Sequence, residues 1–151
     1  MYHYKNCGLP NIFLENGYTK RETAYGEAVA IHDLKGLHKA ISLYLVGKAG
    51  TLSAREIRFL RCEMDMSQKC LASLLGVKEI TVRKWESGDN KINGSSDILL
   101  RICYLQFIEE SSQVKALVER LNALDRSDQE KRLKLSKNDR WNVAILGSDC
   151  A

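Results

Sequence analysis

Between residues 51 and 110 the apolar residues recur at intervals of three and four, which is the spacing of amphipathic helices. One short helix is predicted from the apolar face formed by Leu71, Ala72, Leu74 and Leu75. Ser67 precedes it as an N-cap, and Gly76 can take the left-handed conformation that ends a helix abruptly. Val82 and Trp85 lie three residues apart and predict the inner face of a second short helix.

The outer face of this second helix is polar and basic, with Lys78, Glu79, Thr81, Arg83 and Lys84. A short helix, a glycine turn and a helix with such a face are typical of a helix-turn-helix. Its second helix has the width of the DNA major groove. An ordinary helical hairpin is the alternative interpretation of the same apolar pattern.

A further helix is predicted before this unit. Ser53 and Glu56 have the spacing of a capping box, and three apolar residues then form an inward stripe, Ile57, Leu60 and Met64. Arg55, Arg58 and Arg61 follow one side of this helix. They are either solvated surface charges or contacts to the DNA backbone. We favour backbone contacts, because the first helix of a helix-turn-helix crosses the phosphates.

The flanking segments have shorter patterns. Residues 11–15, 18–25 and 28–31 predict a small antiparallel sheet, with Asn16-Gly17 as its first turn. Asp33 then caps a helix that runs to Val46.

After the helix-turn-helix, a helix is predicted from Ser95 to about Glu110, with an inner face of Ile98, Ile102, Leu105 and Ile108. Another helical segment is predicted over residues 112–124. Alternating residues in 132–136 and 141–145 predict a C-terminal β-hairpin that joins the N-terminal sheet or pairs across a dimer.

The predicted fold is therefore mainly α: a helix-turn-helix bundle with a small N-terminal antiparallel β region and a C-terminal β-hairpin. We divide the chain into three parts. Residues 1–50 are a small α+β domain for partner binding or dimerisation, 51–110 the DNA-binding domain, and 111–151 a C-terminal helix and β-hairpin extension.

Charge supports a nucleic-acid partner. The chain carries a net charge of +4, and the segment from Lys48 to Lys84 has eight basic and four acidic residues. Phosphate neutralisation needs such a local excess of positive charge.

Other chemistry has no sequence signature. The five cysteines form no Cys-x-x-Cys pair and have no histidine at ligand spacing, so neither a metal site nor a disulfide framework is expected, and no cofactor. We expect three of them, Cys62, Cys70 and Cys103, to be buried. No catalytic motif, signal peptide or membrane-spanning run is present, so we expect a cytoplasmic protein that is not an enzyme.

The segment from Leu52 to Ile108 resembles the Xre (phage-repressor-like) helix-turn-helix family. The matching residues are Ser67-Gln68, Leu71-Ala72, Leu75-Gly76-Val77, Val82, Trp85-Glu86 and Gly88. The sequence departs from the family at Lys78, where Ser, Thr or Asp usually caps the recognition helix. A lysine cannot accept a hydrogen bond there, and its charge opposes the helix dipole unless a phosphate lies beside it.

The position of the second helix in such a unit assigns its base-contacting residues, which are Lys78, Glu79, Ile80, Thr81 and Lys84. The expected backbone contacts are Gln68, Arg83, Arg58, Arg61 and Arg55; Gln68 is included because its counterparts in the family bond a phosphate. The resemblance also implies that Trp85 is buried and that Glu86 bonds within the fold. Members of the family bind near-palindromic operators as dimers, so double-stranded DNA and a second copy of the chain are the expected partners.

More weakly, the order of a non-helical N-terminal region, a helix and an Xre unit is similar to MqsA-type antitoxins of bacterial toxin–antitoxin pairs. Those proteins carry paired Cys-x-x-Cys zinc sites in the toxin-binding domain, whereas Cys7 stands alone here. Three functions therefore remain open: an autoregulating antitoxin with a cognate toxin, a free-standing or phage-type repressor, and a protein-interaction module without DNA binding.

Overall fold

The structure is a computed structural model that describes residues 1–109, 133–137 and 139–145. Its strands are β1 (Tyr2–His3), β2 (Phe13–Leu14), β3 (Tyr18–Thr23), β4 (Gly26–Ile31), β5 (Leu133–Lys137) and β6 (Trp141–Ile145). Its helices are α1 (Leu34–Gly47), α2 (Ala54–Glu63), α3 (Gln68–Leu75), α4 (Glu79–Ser87) and α5 (Gly94–Ile108). A helical centre with antiparallel strand pairs toward both ends confirms the predicted fold class.

Side-chain caps fix where α2, α3 and α5 begin. In the capping box of α2, Ser53 Oγ accepts from the backbone N–H of Glu56 at 3.3 Å, and Glu56 Oε1 accepts from the N–H of Ser53 at 3.0 Å. Ser67 caps α3 through the N–H of Cys70, as predicted. Asn93 caps α5 in the same way, so that helix begins at Gly94.

The core joins the four helices α2 to α5. Each contributes a side chain with no exposed surface: Leu60, Leu71, Val82 and Leu100. Because these side chains lie in one cluster with Ile57 and Trp85, they fix how the two helices of the helix-turn-helix unit pack on α2 and α5. Truncation of such a residue to alanine costs about 2–5 kcal/mol of stability.

The N-terminal strands pair differently from the prediction. β2 pairs with β1, not with the segment after Asn16-Gly17, and β3 pairs with β4 across a turn at Ala24-Tyr25. Instead of one sheet, two separate two-stranded sheets form here. The prediction was wrong because alternation along a strand does not specify its partner.

The inner face of α5 was also predicted wrongly. Leu100, Cys103 and Tyr104 are buried, whereas three residues of the predicted stripe, Ile98, Ile102 and Leu105, are 59%, 48% and 38% exposed. The fourth residue of that stripe, Ile108, is partly buried against the core. Between Ile98 and Ile108 every position of α5 except Arg101 and Gln106 is apolar, so the sequence contains two possible stripes and the spacing alone does not choose between them. The expected burial of cysteines holds for Cys70 and Cys103, but Cys62 is exposed.

The N-terminal segment packs on the helical core. Leu9, Ile41 and Leu45 belong to the same buried cluster as the helix-turn-helix residues. His38 of α1 connects the two regions, with Nε2 2.9 Å from the hydroxyl of Tyr4 and Nδ1 2.7 Å from Glu63 Oε1. Residues 1–47 and α2 are thus joined by both apolar and polar contacts.

The C-terminal hairpin is confirmed, since β5 and β6 pair antiparallel from Leu133 with Ile145 to Lys137 with Trp141. These strands pair with each other and not with β1 to β4. The predicted helical segment 112–124 lies outside the described residues.

Candidate nucleic-acid interface

A tight glycine turn separates α3 from α4. Gly76 has φ 70° and ψ 30°, a left-handed conformation that costs a residue with a Cβ about 1–2 kcal/mol. After it, the N–H of Val77 donates to the carbonyl of Ala72 at 2.9 Å, which satisfies the end of α3. The left-handed Gly76 therefore ends α3 abruptly, as the sequence predicts.

The inner side of α4 is anchored in the core. Val82 is fully buried and Trp85 is 3% exposed, so the opposite side of the helix faces solvent. Ile80 and Lys84 lie exposed on that side, Lys78 is exposed at the start of the helix, and Glu79 and Thr81 are half-buried. Ile80 is an apolar side chain 52% exposed on a short helix, which suits contact with a thymine methyl group.

Lys78 is the N-cap residue of α4, and its side chain makes no capping hydrogen bond. The departure from the family at this position thus leaves the helix start without a side-chain acceptor. Positive charge at a helix N-terminus is unfavourable unless an anion lies nearby. In a complex with DNA, a phosphate would supply that negative charge.

Glu79 and Arg83 form an ion pair across one turn of α4, at 2.9 Å from Arg83 Nη2 to Glu79 Oε1. Their side chains are 38% and 59% exposed, so the pair contributes at most about 1 kcal/mol. Such a pair can open at low cost. Both side chains therefore stay available for the DNA contacts that the sequence predicts.

A shallow depression of about 640 Å³ lies between α2, α3 and α4, next to the exposed side of α4. We call it the basic depression. It brings together four of the five predicted backbone-contacting residues, Gln68, Arg83, Arg58 and Arg61, and adds Lys69, which is not among the residues predicted from the sequence. Lys69 follows Gln68 in the first turn of α3, and that position was the signal that could have identified it. Four basic and two acidic side chains line the depression, so its net charge is positive.

Arg61 has a structural role at the floor of this depression. Its guanidinium donates two hydrogen bonds to Glu86 and one to the carbonyl of Met66, and its side chain is only 13% exposed. The hydrogen bond to Glu86 raises the pKa of Arg61 above its ordinary value, although burial opposes this shift. Glu86 thus bonds within the fold, as expected, and the three bonds engage Arg61 away from a phosphate.

Arg55 does not line the basic depression. It lies exposed at the start of α2, beside two other cavities. Arg58 lines the basic depression and one of those cavities, so it is the arginine of α2 best placed for the DNA backbone.

Metal binding needs a cluster of ligating side chains, and membrane crossing needs a long apolar helix, in the described part of the chain. No group of three or more His, Cys, Asp or Glu side chains there has the geometry to hold a metal ion. No helix within those ranges combines the length and the apolar character that crossing a membrane requires.

A capped helix, a left-handed glycine turn and a core-anchored helix with a basic solvent face define a helix-turn-helix protein. The family model described as helix-turn-helix matches residues 57–101, which include all of α3 and α4. This segment is accordingly a helix-turn-helix of the Xre type, the domain of DNA-binding transcription regulators. No curated protein and no solved structure matches the chain.

Proposed function

We propose that this protein is a sequence-specific DNA-binding repressor that acts as a homodimer on a near-palindromic operator. The observation that carries the proposal is the position of the exposed side of α4 next to the basic depression. One surface thereby offers side chains for base edges and, beside them, cations and hydrogen-bond donors for phosphates. These are the two kinds of contact that specific DNA binding combines.

The residues of α4 have distinct proposed roles. Lys78 and Lys84 donate to guanine, Glu79 accepts from cytosine, and Ile80 and Thr81 contact thymine methyl groups. Gln68, Arg58 and Arg83 hold phosphates from the basic depression. Arg55, at the start of α2, contacts the DNA backbone outside the basic depression. Arg61 acts through Glu86 by keeping α2 and α4 in position.

The small size of the surface that α4 offers to DNA favours a dimer. One nine-residue helix covers too few base pairs for useful specificity, and two copies on half-sites about 10 base pairs apart double the contact. The exposed apolar side chains Ile98, Ile102 and Leu105 of α5 offer a face of the kind that dimers bury. A dimer bound at its own promoter would block RNA polymerase, so repression is the proposed outcome.

Fluorescence anisotropy tests this function with the DNA upstream of the protein's own gene and with a scrambled duplex of equal length. We expect preference for the upstream DNA and a steep loss of affinity with salt, because each neutralised phosphate releases counterion. Absence of binding at low salt would refute the proposal and favour a protein-interaction module.

A second candidate function is that of an autoregulating antitoxin, and it is favoured by the β3–β4 hairpin. None of the twelve residues in these two strands is buried, and Tyr25 at the tip is fully exposed. A two-stranded hairpin is only marginally stable alone, and its open edges can accept a strand from a partner. We propose that this hairpin binds a cognate toxin.

Size-exclusion chromatography with the product of the adjacent gene tests this candidate, if that gene encodes a small basic ribonuclease-like protein. A variant in which Thr19–Ala30 is replaced by a short glycine linker should lose the complex but keep DNA binding, since the segment it removes has no buried residue. If the full chain forms no complex, the free-standing repressor is the better interpretation.

A further inference from the structure

A second cavity, to which α4 contributes no residue, has the features of a small-molecule site. It occupies about 540 Å³ between residues 9–14, α1 and the start of α2. Its walls are mainly apolar, with Leu9, Ile12, Leu14, Leu37, Ile41 and Leu45. Phe13 and Tyr44 also line it, although they are 55% and 69% exposed. Its volume and lining are those of pockets that bind small ligands. We call it the α1–α2 pocket.

The polar groups of the α1–α2 pocket include an ion pair and an arginine. Lys48 Nζ lies 2.7 Å from Glu56 Oε1, and the two side chains are largely buried. Burial alone would raise the pKa of Glu56, but hydrogen bonds from Lys48 and Ser53 outweigh it and the pKa lies below its ordinary value. Glu56 is therefore ionised at neutral pH and compensates the charge of Lys48.

Arg55 carries the remaining charge of this pocket. It is exposed, and within residues 1–109 and the two C-terminal strands it makes neither a hydrogen bond nor an ion pair. The pocket thus combines apolar walls with one uncompensated guanidinium. A guanidinium binds a carboxylate through two parallel charge-assisted hydrogen bonds.

We propose that the α1–α2 pocket binds a small monocarboxylate with an apolar tail. The tail lies against the walls formed by α1 and residues 9–14, and the carboxylate pairs with Arg55. A neutral ligand would leave this cation unpaired, and a cationic ligand would be repelled by it. Charge complementarity therefore selects the anion.

A ligand in this pocket would regulate DNA binding. This regulatory step rests on the proposed function. Arg55 is proposed to contact the DNA backbone, and a carboxylate bound to it competes with phosphate. We expect a bound ligand to weaken DNA binding and to reduce the slope of log affinity against log salt by about one unit. The ligand would thereby act as an inducer.

Isothermal titration calorimetry without DNA tests the site itself, so its outcome does not depend on the proposed function. Octanoate, 1-octanol and octylamine share a tail and differ in charge. We expect saturable octanoate binding about tenfold tighter than octanol, from the charge-assisted hydrogen bonds, and no binding of octylamine. Arg55→Gln should remove the advantage of octanoate over octanol. Ala40→Phe, at an exposed position that lines the pocket, should abolish binding of both.

Lys39→Gln is the matched control, because Lys39 is an exposed cation next to Ala40 that does not line the pocket. Its octanoate affinity should equal that of the unmodified protein, and thermal unfolding without ligand checks that each variant is folded. Octanol binding as tightly as octanoate, or a folded Ala40→Phe protein with undiminished binding, would overturn the proposal. If octanoate binds as expected but leaves the affinity for operator unchanged, the regulatory step is wrong although the site is real.

Discussion

Arg61 of α2 and Glu86 of α4 form a two-pronged ion pair at the base of the helix-turn-helix. Arg61 Nε donates to Glu86 Oε2 at 2.9 Å, and Nη2 donates to Oε1 at 2.8 Å. The side chains are 13% and 5% exposed. Since parallel hydrogen bonds fix orientation as well as distance, the pair holds α4 at one angle to α2. The helix that we propose reads DNA is thereby positioned by a contact that is buried within the fold.

Removal of one partner should destabilise the protein strongly. We expect Arg61→Ala to lower the free energy of unfolding by about 3–5 kcal/mol, because it leaves the Glu86 carboxylate buried and uncompensated. The double variant Arg61→Met with Glu86→Leu should recover much of this loss, since it removes both charges. Urea denaturation measures these differences. The control is Arg83→Ala, which breaks the exposed pair with Glu79 and should cost at most about 1 kcal/mol. Equal losses for Arg61→Ala and Arg83→Ala would contradict this account.

The glycine between α3 and α4 gives a second prediction. Gly76→Ala should cost about 1–2 kcal/mol, because the left-handed backbone is strained for alanine although a Cβ there would meet no atom within 4 Å. Gly47 is a matched control: it too has open space around a Cβ, but it lies in the last turn of α1 without a positive φ. Gly47→Ala should be neutral or stabilising by up to about 1 kcal/mol. Thermal or urea unfolding distinguishes the two, and a neutral Gly76→Ala would show that the turn tolerates alanine.

Glu56 should make the free energy of unfolding depend on pH. Burial opposes its ionisation, but hydrogen bonds from Lys48 and Ser53 place its pKa in the folded protein below the ordinary value of 4.5. Its contribution to stability is therefore complete above about pH 4.5 and is lost as the pH falls through the folded pKa. Glu56→Gln should be less stable than the unmodified protein at pH 7, and the difference should shrink in acid.

Urea denaturation between pH 7 and pH 3 measures that difference. Glu27→Gln serves as the control, because Glu27 pairs with Lys20 on the exposed hairpin and should change stability little at any pH. A difference for Glu56→Gln that stays constant into acid would contradict the prediction.

The sequence predicted the helix-turn-helix well because several local signals agree there. Ser67 as a cap, Gly76 as a stop, and Val82 with Trp85 as an inner face each follow from short-range physics, and the structure confirms all of them. Lys78 also behaves as expected, since its side chain forms no cap. Where helix propensity, apolar periodicity and capping residues all indicate the same element, the local sequence largely determines the structure.

The errors arose where the sequence fits more than one arrangement. Residues 11–15 have the alternation of a strand, but the identity of their partner depends on where β1 lies in space. In α5, two apolar stripes compete, and packing against the other helices buries Leu100 instead of Ile98. The hydrogen bonds between Arg61 and Glu86 could not be predicted either. The two residues are 25 positions apart, and no local signal shows that they come within bonding distance.

The α1–α2 pocket could not be predicted for a related reason. Its lining comes from residues 9–14, from α1 and from the start of α2, so no single stretch of sequence contains it. In the sequence, Arg55, Arg58 and Arg61 follow one side of the same predicted helix, and no local feature distinguishes their roles. The structure separates the three: Arg61 is paired within the fold, Arg58 lines the basic depression, and Arg55 lines the apolar pocket.

We propose that Lys78 to Thr81 and Lys84 read bases, while Arg58 of α2, Gln68 of α3 and Arg83 of α4 hold phosphates. Lys84→Ala and Thr81→Ala should weaken binding to operator DNA by about 1–3 kcal/mol where a base contact is lost, with little effect on scrambled DNA. Arg58→Ala should weaken both DNAs alike, because phosphates carry no sequence information. Lys35→Ala, an exposed cation on α1, is the control and should change neither affinity.

The most direct measurement is the anisotropy affinity of the unmodified protein, Lys84→Ala and Arg58→Ala for operator and scrambled duplexes at several salt concentrations. The account predicts that Lys84→Ala lowers the ratio of the two affinities. It also predicts that Arg58→Ala keeps that ratio and reduces the salt slope by about one unit. An equal loss on both duplexes for Lys84→Ala, or a changed ratio for Arg58→Ala, would contradict this division of roles.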